Sequence, residues 1–215
     1  MASHFVDLSH TVEHGLVTYP GLPAPAIADH LSREASRERY APGYEFQIGA
    51  IEMVSNTGTY LDTPFHRFAD GHDLSGIPLE AVAALPIVVI DDGDALPDRD
   101  VAGAAVLVRT GWDRHFGTEA YGAPDHPSIG ADLLNRLVAA APALVGIDSV
   151  NVDATTTGER PVHTALLGAG IYVLEHLTGL DQLGDGTGWE LFAVPVKVKG
   201  MGTFPVRAFA MARAL

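Results

Sequence analysis

The chain has 215 residues, and domains commonly contain about 100–200, so its length suits one domain. Apolar residues make up 47% of it and charged residues 19%, which excludes a disordered protein and provides for a sizeable core. The net charge of −14 argues against nucleic acid or an anionic membrane as a partner, because both are bound by clustered cations.

Short apolar and β-branched runs recur along the chain, and most of them are bounded by Gly, Pro or Asp. They predict strands over 46–54, 86–91, 105–110, 143–148, 170–174, 190–199 and 206–213. Within 190–199, apolar residues and lysines alternate after Pro195, which predicts a strand with one solvated face.

Two helices are predicted among these strands. Leucines recur at helical spacing over 131–141, with Ser128 or Asp132 as the candidate N-cap. A shorter helix is predicted to start near Pro78, because proline suits the first helical turn. Strands outnumber helices, and β-α-β units alternate with adjacent strands. We therefore predict an α/β fold with a mixed central sheet, in a single domain over 1–215.

The sequence does not open with the basic and then apolar pattern of a secretory signal. Its longest apolar stretch, 81–90, is far shorter than the roughly 20 residues that span a bilayer. We therefore expect a cytoplasmic protein without a membrane partner.

The densest polar segment, 55–66, directly follows a predicted strand. Asn56, Tyr60, Asp62 and His66 recur in it at intervals of four, two and four residues. An aspartate and a proline disfavour a continuous helix, so the spacing predicts a shaped loop that presents several groups inward. The alternative is a turn in which Asn, Thr and Asp side chains only cap backbone amides.

A second polar group lies near 160–175. His163 precedes the apolar run 170–174, and Glu175 closes that run. A carboxylate there requires a partner or a cation if it is buried. Asp148, at the end of another apolar run, is a similar case, although it could instead cap a turn. Because the chain has no Cys, a metal would have only nitrogen and oxygen ligands.

Together these stretches resemble the cyclase family of metal-dependent hydrolases, which includes bacterial kynurenine formamidase and isatin hydrolase. The resemblance covers nearly the whole chain. It is carried by Asp-Leu-Ser at 7–9, Tyr-Pro-Gly at 19–21, Gly-Thr-x-x-Asp-x-Pro-x-His at 58–66, Asp-Gly at 70–71, Ile-Pro-Leu at 77–79, Arg-Thr-Gly-Trp at 109–112, Gly-Ile-Asp at 146–148, His-x-x-x-Leu at 163–167 and Glu-x-Leu at 175–177. It implies a swivelling β/β/α fold, a homodimer or homotetramer, and a substrate-facing loop at Tyr19.

The central motif departs from the family pattern H-x-G-T-H-x-D-x-P-x-H. Asn56 and Tyr60 stand where the first two histidines belong. The resemblance implies that Asp62, with His163 and Glu175, holds a metal in a second site that remains complete. A neutral amide and a protonated phenol bind zinc less well than imidazole does, so the resemblance favours one divalent metal, Mn, Mg or Zn, over two. A metal-free site is the alternative.

The implied reaction is hydrolysis of a small amide, formamide, cyclic amide or lactone. A single metal would lower the pKa of a water and polarise the substrate carbonyl. His66 would act as general base and acid, and Tyr60 would donate to the developing oxyanion. Asn56 is a candidate metal or substrate contact.

Two further residues are candidates for substrate binding. Tyr19 is a candidate by resemblance. Arg67 could bind an acidic substrate, or could pair with Asp62 or Asp70.

Two other functions remain open. In a metal-free site, His66, Tyr60 and Asp62 would serve a lyase, isomerase or ring-closing enzyme. Alternatively, the protein would bind a small molecule without turnover.

Overall fold

In the computed structural model, which describes residues 4–213, nine strands form one mixed sheet and two others form a separate antiparallel pair. The strands are β1 (Phe5–Asp7), β2 (Ala26–Leu31), β3 (Ile48–Glu52), β4 (Tyr60–Asp62), β5 (Leu85–Asp91), β6 (Ala105–Arg109), β7 (Leu144–Ile147), β8 (Tyr172–Glu175), β9 (Trp189–Phe192), β10 (Thr203–Pro205) and β11 (Phe209–Ala212). The α-helices are α1 (Arg33–Ser36), α2 (Ala131–Ala140) and α3 (Pro161–Gly168). Short 3-10 turns lie at Pro64–His66, Leu74–Gly76, Leu79–Ala81, Trp112–His115, Glu119–Gly122 and Leu180–Leu183.

The large sheet has the order β1-β11-β9-β5-β6-β7-β8-β4-β10. Its centre, β5 to β8, is parallel, and the strands on both sides are antiparallel. The central strands are nearly continuous apolar runs, as expected for parallel strands covered on both faces. The predicted α/β fold with a mixed sheet is therefore confirmed.

Residues of β5 point alternately into two hydrophobic cores. Val88 and Ile90 face the core that contains residues of α2 and α3. Ile87 and Val89 face the other core, which also contains residues from both outer parts of the sheet, such as Val6 of β1 and Leu61 of β4. The sheet therefore curls around this second core.

The long predicted helix is observed as α2, but its N-cap is Gly130 rather than Ser128 or Asp132. The helix predicted near Pro78 is wrong: the chain makes only a 3-10 turn there, because β5 begins three residues after that turn's C-cap, Val82. None of the helices in residues 4–213 is long and apolar enough to cross a membrane.

The strand predicted over 190–199 is too long, since β9 ends at Phe192. Beyond it the backbone amide of Ala193 donates to the carbonyl of Val82, outside the sheet. On both sides β9 already has a neighbour, β5 and β11. The segment after Pro195 alternates in sequence but forms no strand.

The separate pair, β2 and β3, lies largely in solvent. Nearly every residue of it is exposed, including Ile27 at 42%, Ile48 at 45% and Ile51 at 51%. Ile27 and Ile51 are cross-strand partners and lie on one face, whereas Ile48 lies on the other face. Adjoining exposed apolar side chains such as Ile27 and Ile51 are candidates for an interaction surface.

Candidate functional site

The polar motif forms a strand and a turn instead of the predicted loop. Tyr60 to Asp62 is β4, which pairs with β8 on one side and β10 on the other. Strand alternation sends Leu61 into the core and leaves Tyr60 and Asp62 on the opposite face. The 3-10 turn that follows then carries His66. The loop prediction was wrong because two distant strands, unseen in the local sequence, supply the pairing.

The register of these strands determines the contacts of the motif. Tyr60 lies opposite Glu175, and its hydroxyl donates to Oε2 of that carboxylate over 2.7 Å. Asp62 lies opposite Thr203, whose hydroxyl donates to Oδ1 of Asp62. Cross-strand neighbours are close enough for such direct contacts.

His163 lies in the first turn of α3 and is held by Asp153. The Asp153 carboxylate accepts from the backbone amides of Val162 and His163, at 2.7 and 3.0 Å, and so caps the helix. Its Oδ2 also lies 2.7 Å from Nδ1 of the His163 ring. With Nδ1 protonated as the donor, the lone pair of neutral His163 is on Nε2.

Several acceptor atoms converge where this lone pair points. Nε2 of His163 lies 3.5 Å from Oδ2 of Asp62 and 3.6 Å from Oε1 of Glu175. Oδ2 of Asp62 is buried and has no hydrogen-bond partner in the described part of the chain. Each of these atoms is an acceptor, so a cation or a proton between them is required to offset their repulsion.

A ring nitrogen of His66 joins the same cluster. Ligand atoms of Asp62, His66 and His163 all lie within 4.8 Å of one another, which is close enough to hold one metal ion. This set contains His66 where the sequence resemblance named Glu175. Glu175 is adjacent, but its Oε2 accepts from Tyr60 and its Oε1 accepts from the backbone amide of Val152 over 2.7 Å.

The hydroxyl of Thr203 also orients His66. Its oxygen lies 2.7 Å from Nδ1 of His66, while its single proton is donated to Asp62. Nδ1 of His66 is therefore the donor in this contact, which leaves the lone pair of the neutral ring on Nε2. His66 is half-exposed, unlike the buried Asp62 and His163.

The pKa values of Glu175 and His163 are both raised, for different reasons. Burial raises the pKa of Glu175 to about 7, with the Asp62 charge adding to the effect and His163 opposing it. Burial opposes the charge on His163, but Glu175, Asp153 and Asp62 outweigh it and raise the pKa of His163 well above its usual value. Both shifts favour a bound proton at the cluster, and a metal ion would take the place of that proton.

A second buried group lies behind Tyr60. Nε2 of His176 is 3.3 Å from the Tyr60 hydroxyl, and Nδ1 of His176 is 2.8 Å from the hydroxyl of Tyr121. Burial lowers the pKa of His176 to about 3, so its ring is neutral. Tyr121 can then donate to His176, His176 to Tyr60, and Tyr60 to Glu175, each hydroxyl and ring giving one proton.

The cluster opens into a cavity of about 270 Å³. The cavity is lined by Tyr19, Leu22, Asn56, Tyr60, His66, Arg67, Asn151, Arg160, His163 and Glu175. Every residue that the sequence singled out for metal or substrate thus lines this space, apart from Asp62, which lies beneath it in contact with His66 and His163. Asn56 and Tyr19 are on the wall, and neither is in the metal-ligand cluster.

The contacts of Asp148 and Arg67 decide between the alternative roles that the sequence allowed for each of them. Asp148 is buried, but it accepts from the amide and hydroxyl of Thr110 and from the amide of Gly111, so it stabilises a turn. Arg67 forms no ion pair with Asp62 or Asp70, both within the described chain. Its Nε donates to Thr164 instead, over 3.1 Å.

Sequence reasoning missed Asp153, Thr203, His176 and Arg160. Asp153 had no local signal, since the backbone amides from which it accepts lie 9 and 10 residues further along the chain. Thr203 and His176 had none, because their partners lie 137–141 and 116 residues away in the chain.

Comparison with known proteins gives matches along the whole chain. A family model named Cyclase, described as "Putative cyclase", matches residues 6–154. A kynurenine formamidase of Maricaulis maris is 28% identical over 217 residues, covering 94% of this chain and 95% of that protein. A kynurenine formamidase of Bacillus cereus is 27% identical over 214 residues, covering 96% of each.

The fold has a close counterpart among solved structures. Isatin hydrolase A from Labrenzia aggregata, bound to benzyl benzoate, superposes with a TM-score of 0.79 at 27% identity. The superposition covers 99% of this chain and 94% of that one.

Proposed function

This chain belongs to the Cyclase family, whose model matches more than half of its length, and from that premise we propose how its cavity hydrolyses a small molecule. The curated relatives are formamidases, and the structural relative is an isatin hydrolase. The protein is a hydrolase that acts on amide C–N bonds, as the sequence predicted. Its substrate is a small amide, formamide, cyclic amide or lactone. The convergence of Asp62, His66 and His163 at one cavity carries this proposal.

The donor set fits a divalent metal. Asp62 offers a buried oxygen without a partner, and His163 offers a lone pair that Asp153 directs toward it. Glu175, whose Oε1 lies 3.6 Å from Nε2 of His163, would complete the set of ligands, because the lone pair of His66 is needed for proton transfer. Oxygen and imidazole ligands suit Mn, Mg or Zn. When bound, such an ion supplies Lewis-acid polarisation of a carbonyl and lowers the pKa of water.

His66 is the acid–base residue in this proposal. Thr203 fixes its Nδ1 as a donor, so Nε2 is free to accept a proton from the attacking water. Asp62 accepts a hydrogen bond from the hydroxyl of Thr203. It also lies 3.7 Å from Nδ1 of His66, where its charge stabilises the protonated ring. The protonated ring then returns the proton to the leaving nitrogen or oxygen.

Tyr60 was assigned a catalytic role, as donor to the oxyanion. Its proton is directed at Glu175 in this structure, so the hydroxyl would have to turn to reach a substrate. We keep Tyr60 as a residue of the site and propose that, before substrate binds, it stabilises Glu175 by this hydrogen bond. Asn56, Tyr19 and Arg67 line the cavity and are proposed substrate contacts.

The proposed assembly is a homodimer or a homotetramer. The exposed cross-strand pair Ile27 and Ile51 supports it, since contact with a second copy would cover both side chains. Light scattering tests this, and Ile51→Glu is expected to shift the protein toward the monomer. A cytoplasmic location is proposed on the lack of Cys, which is compatible with a reducing compartment.

The experiment starts from protein dialysed against a chelator and reloaded with Mn, Mg or Zn. A formanilide, a cyclic amide and an aryl lactone are then assayed. We expect turnover only with a loaded metal, and a loss of at least about 100-fold in kcat for His66→Gln. His30→Gln, at an exposed histidine in β2, is the matched control and should behave as wild type. Full activity in chelator, or in His66→Gln, would contradict the proposal.

A further inference from the structure

Two guanidinium groups line the exposed end of the cavity, away from the buried Glu175. Arg67 follows the 3-10 turn that carries His66, and Arg160 directly precedes α3, which carries His163. Both arginines line the central cavity, and both also line a groove that continues outward along 158–165. A molecule entering by this groove passes both arginines and Glu159, and of these three only the arginines also line the cavity.

Neither guanidinium is neutralised by a carboxylate within residues 4–213. The Nε of Arg67 donates to the hydroxyl of Thr164, and one terminal nitrogen of Arg160 donates to the backbone carbonyls of Thr157 and Glu159. These partners are uncharged, and each of them engages only one nitrogen of the guanidinium group. Each guanidinium therefore keeps N–H donors for a ligand.

Some other arginines of the described chain do form ion pairs. Arg37, Arg109, Arg207 and Arg213 each bind a carboxylate at 2.6–3.0 Å. Acidic residues outnumber basic ones 27 to 13, so surface carboxylates are plentiful. Other arginines, such as Arg136, also lack an ion pair, but among the described residues only Arg67 and Arg160 do so while lining the central cavity.

Charge is thus separated along the cavity. Its buried wall presents the carboxyl group of Glu175, with Asp62 beneath it, and its more exposed wall presents Arg67 and Arg160. Leu22 and Tyr19 provide apolar surface on the wall. A volume of about 270 Å³ is near the lower end of ligand pockets, which span roughly 300–1,000 Å³, and suits a small molecule rather than a peptide.

We propose that Arg67 and Arg160 form a carboxylate-binding subsite, and that the substrate is a small carboxylic acid which carries its hydrolysable carbonyl at the other end. This inference rests on the proposed function only for the position of the carbonyl. The planar fork of a guanidinium matches the two oxygens of a carboxylate, and a ligand anion supplies the missing counter-charge.

The first test compares substrates that differ only in charge. Formanilides with a ring carboxylate at each position are assayed against formanilides with a nitro group, which has the same shape and no net charge. We expect the best acid to exceed its nitro partner in kcat/KM by at least about 10-fold, mainly through KM, because one charged hydrogen bond contributes about a factor of ten.

The variants Arg67→Met and Arg160→Met are each expected to bring this ratio toward one, and the double variant to abolish the preference. Arg136→Met is the matched control, since Arg136 lies on α2 outside the cavity and has no ion pair in the described structure. Added KCl should lower the preference as well, because exposed charges are screened by salt. A ratio near one in the wild type would overturn the subsite.

The second test does not require turnover. Calorimetric binding of benzoate, nitrobenzene and inorganic phosphate is measured with chelated wild type, the double variant and Arg136→Met. We expect benzoate binding that the double variant loses and Arg136→Met keeps. Such binding without any hydrolysis would reject the proposed function and support the subsite. Hydrolysis together with equal binding of benzoate by all three proteins would support the proposed function and reject the subsite. Tighter binding of phosphate than of benzoate would overturn the carboxylate assignment.

Discussion

Tyr60→Phe removes a single hydroxyl at the centre of the site. The ring remains, so the packing against β8 and β10 is kept, and only two hydrogen bonds are lost. One of them is the 2.7 Å bond to Oε2 of Glu175, and the other is the 3.3 Å contact with Nε2 of His176. Glu175 and His176 are both buried, so no solvent replaces the lost partner.

The magnitude follows from the charge on Glu175. At pH 8, above its pKa of about 7, Glu175 is largely ionised, and a hydrogen bond to a charged group contributes about 1.5–3 kcal/mol. The contact with His176 is longer and between neutral groups, and it adds little. We therefore expect Tyr60→Phe to lower the free energy of unfolding of the metal-free protein by about 2 kcal/mol at pH 8.

Urea unfolding followed by the fluorescence of the two tryptophans measures this change. Tyr172→Phe is the matched control, because it removes a hydroxyl from another buried tyrosine, whose partner is Nε2 of His72 at 2.6 Å rather than a carboxylate. Its cost should be below about 1 kcal/mol. If Tyr60→Phe unfolds within about 0.5 kcal/mol of wild type, the assignment of its proton to Glu175 is refuted.

Three further perturbations have expected outcomes. Burial lowers the pKa of His10 to about 4, whereas the unfolded chain takes up this proton near pH 6.5, so acid favours unfolding between those values. This ring is partly exposed, so the free energy of unfolding should fall by less than about 1 kcal/mol for each unit by which the pH is lowered. The variant His10→Phe keeps the stack on Phe116 and should flatten this pH dependence, which urea titrations at a series of pH values measure. Equal slopes would contradict it. Asp153→Asn should weaken metal binding about 10- to 100-fold in a competition titration, since the amide cannot hold His163 as the carboxylate does, and unchanged affinity would exclude that role. Gly146→Ala should destabilise the protein by about 1–3 kcal/mol in urea, because the new Cβ would lie 2.7 Å from Leu107 and 2.8 Å from Leu177, whereas Gly158→Ala meets open space and should be neutral.

The sequence predicted the fold class because its strongest signals are local. Apolar runs at 86–91, 105–110 and 143–148 correspond to β5, β6 and β7, which are buried on both faces. The short edge strands β1 and β10 have three residues each and no such run. Their pairing depends on residues far along the chain, which no local pattern reveals.

The sequence predicted the candidate ligands of the site from their residue types. It did not predict the residues that orient those ligands. Asp62, His163 and Glu175 were expected to meet, and their acceptor atoms do converge. The proton directions came only from the structure. Thr203 and Asp153 decide which nitrogen of each histidine is free, and both act through geometry that composition and spacing do not encode.

The contact of Thr203 with Asp62 and His66 has a consequence for how the site comes into being. Asp62 and Thr203 are separated by 141 residues, so their contact is among the longest-range in the chain. Such contacts carry a large loop-closure cost and tend to form late in folding. A nascent chain that has emerged only as far as α3 already contains Asp62, His66 and His163, yet His66 has no hydroxyl to orient it. We therefore expect catalytic competence to return on refolding only with the last strands, and activity to report complete folding of the sheet rather than collapse of its parallel centre.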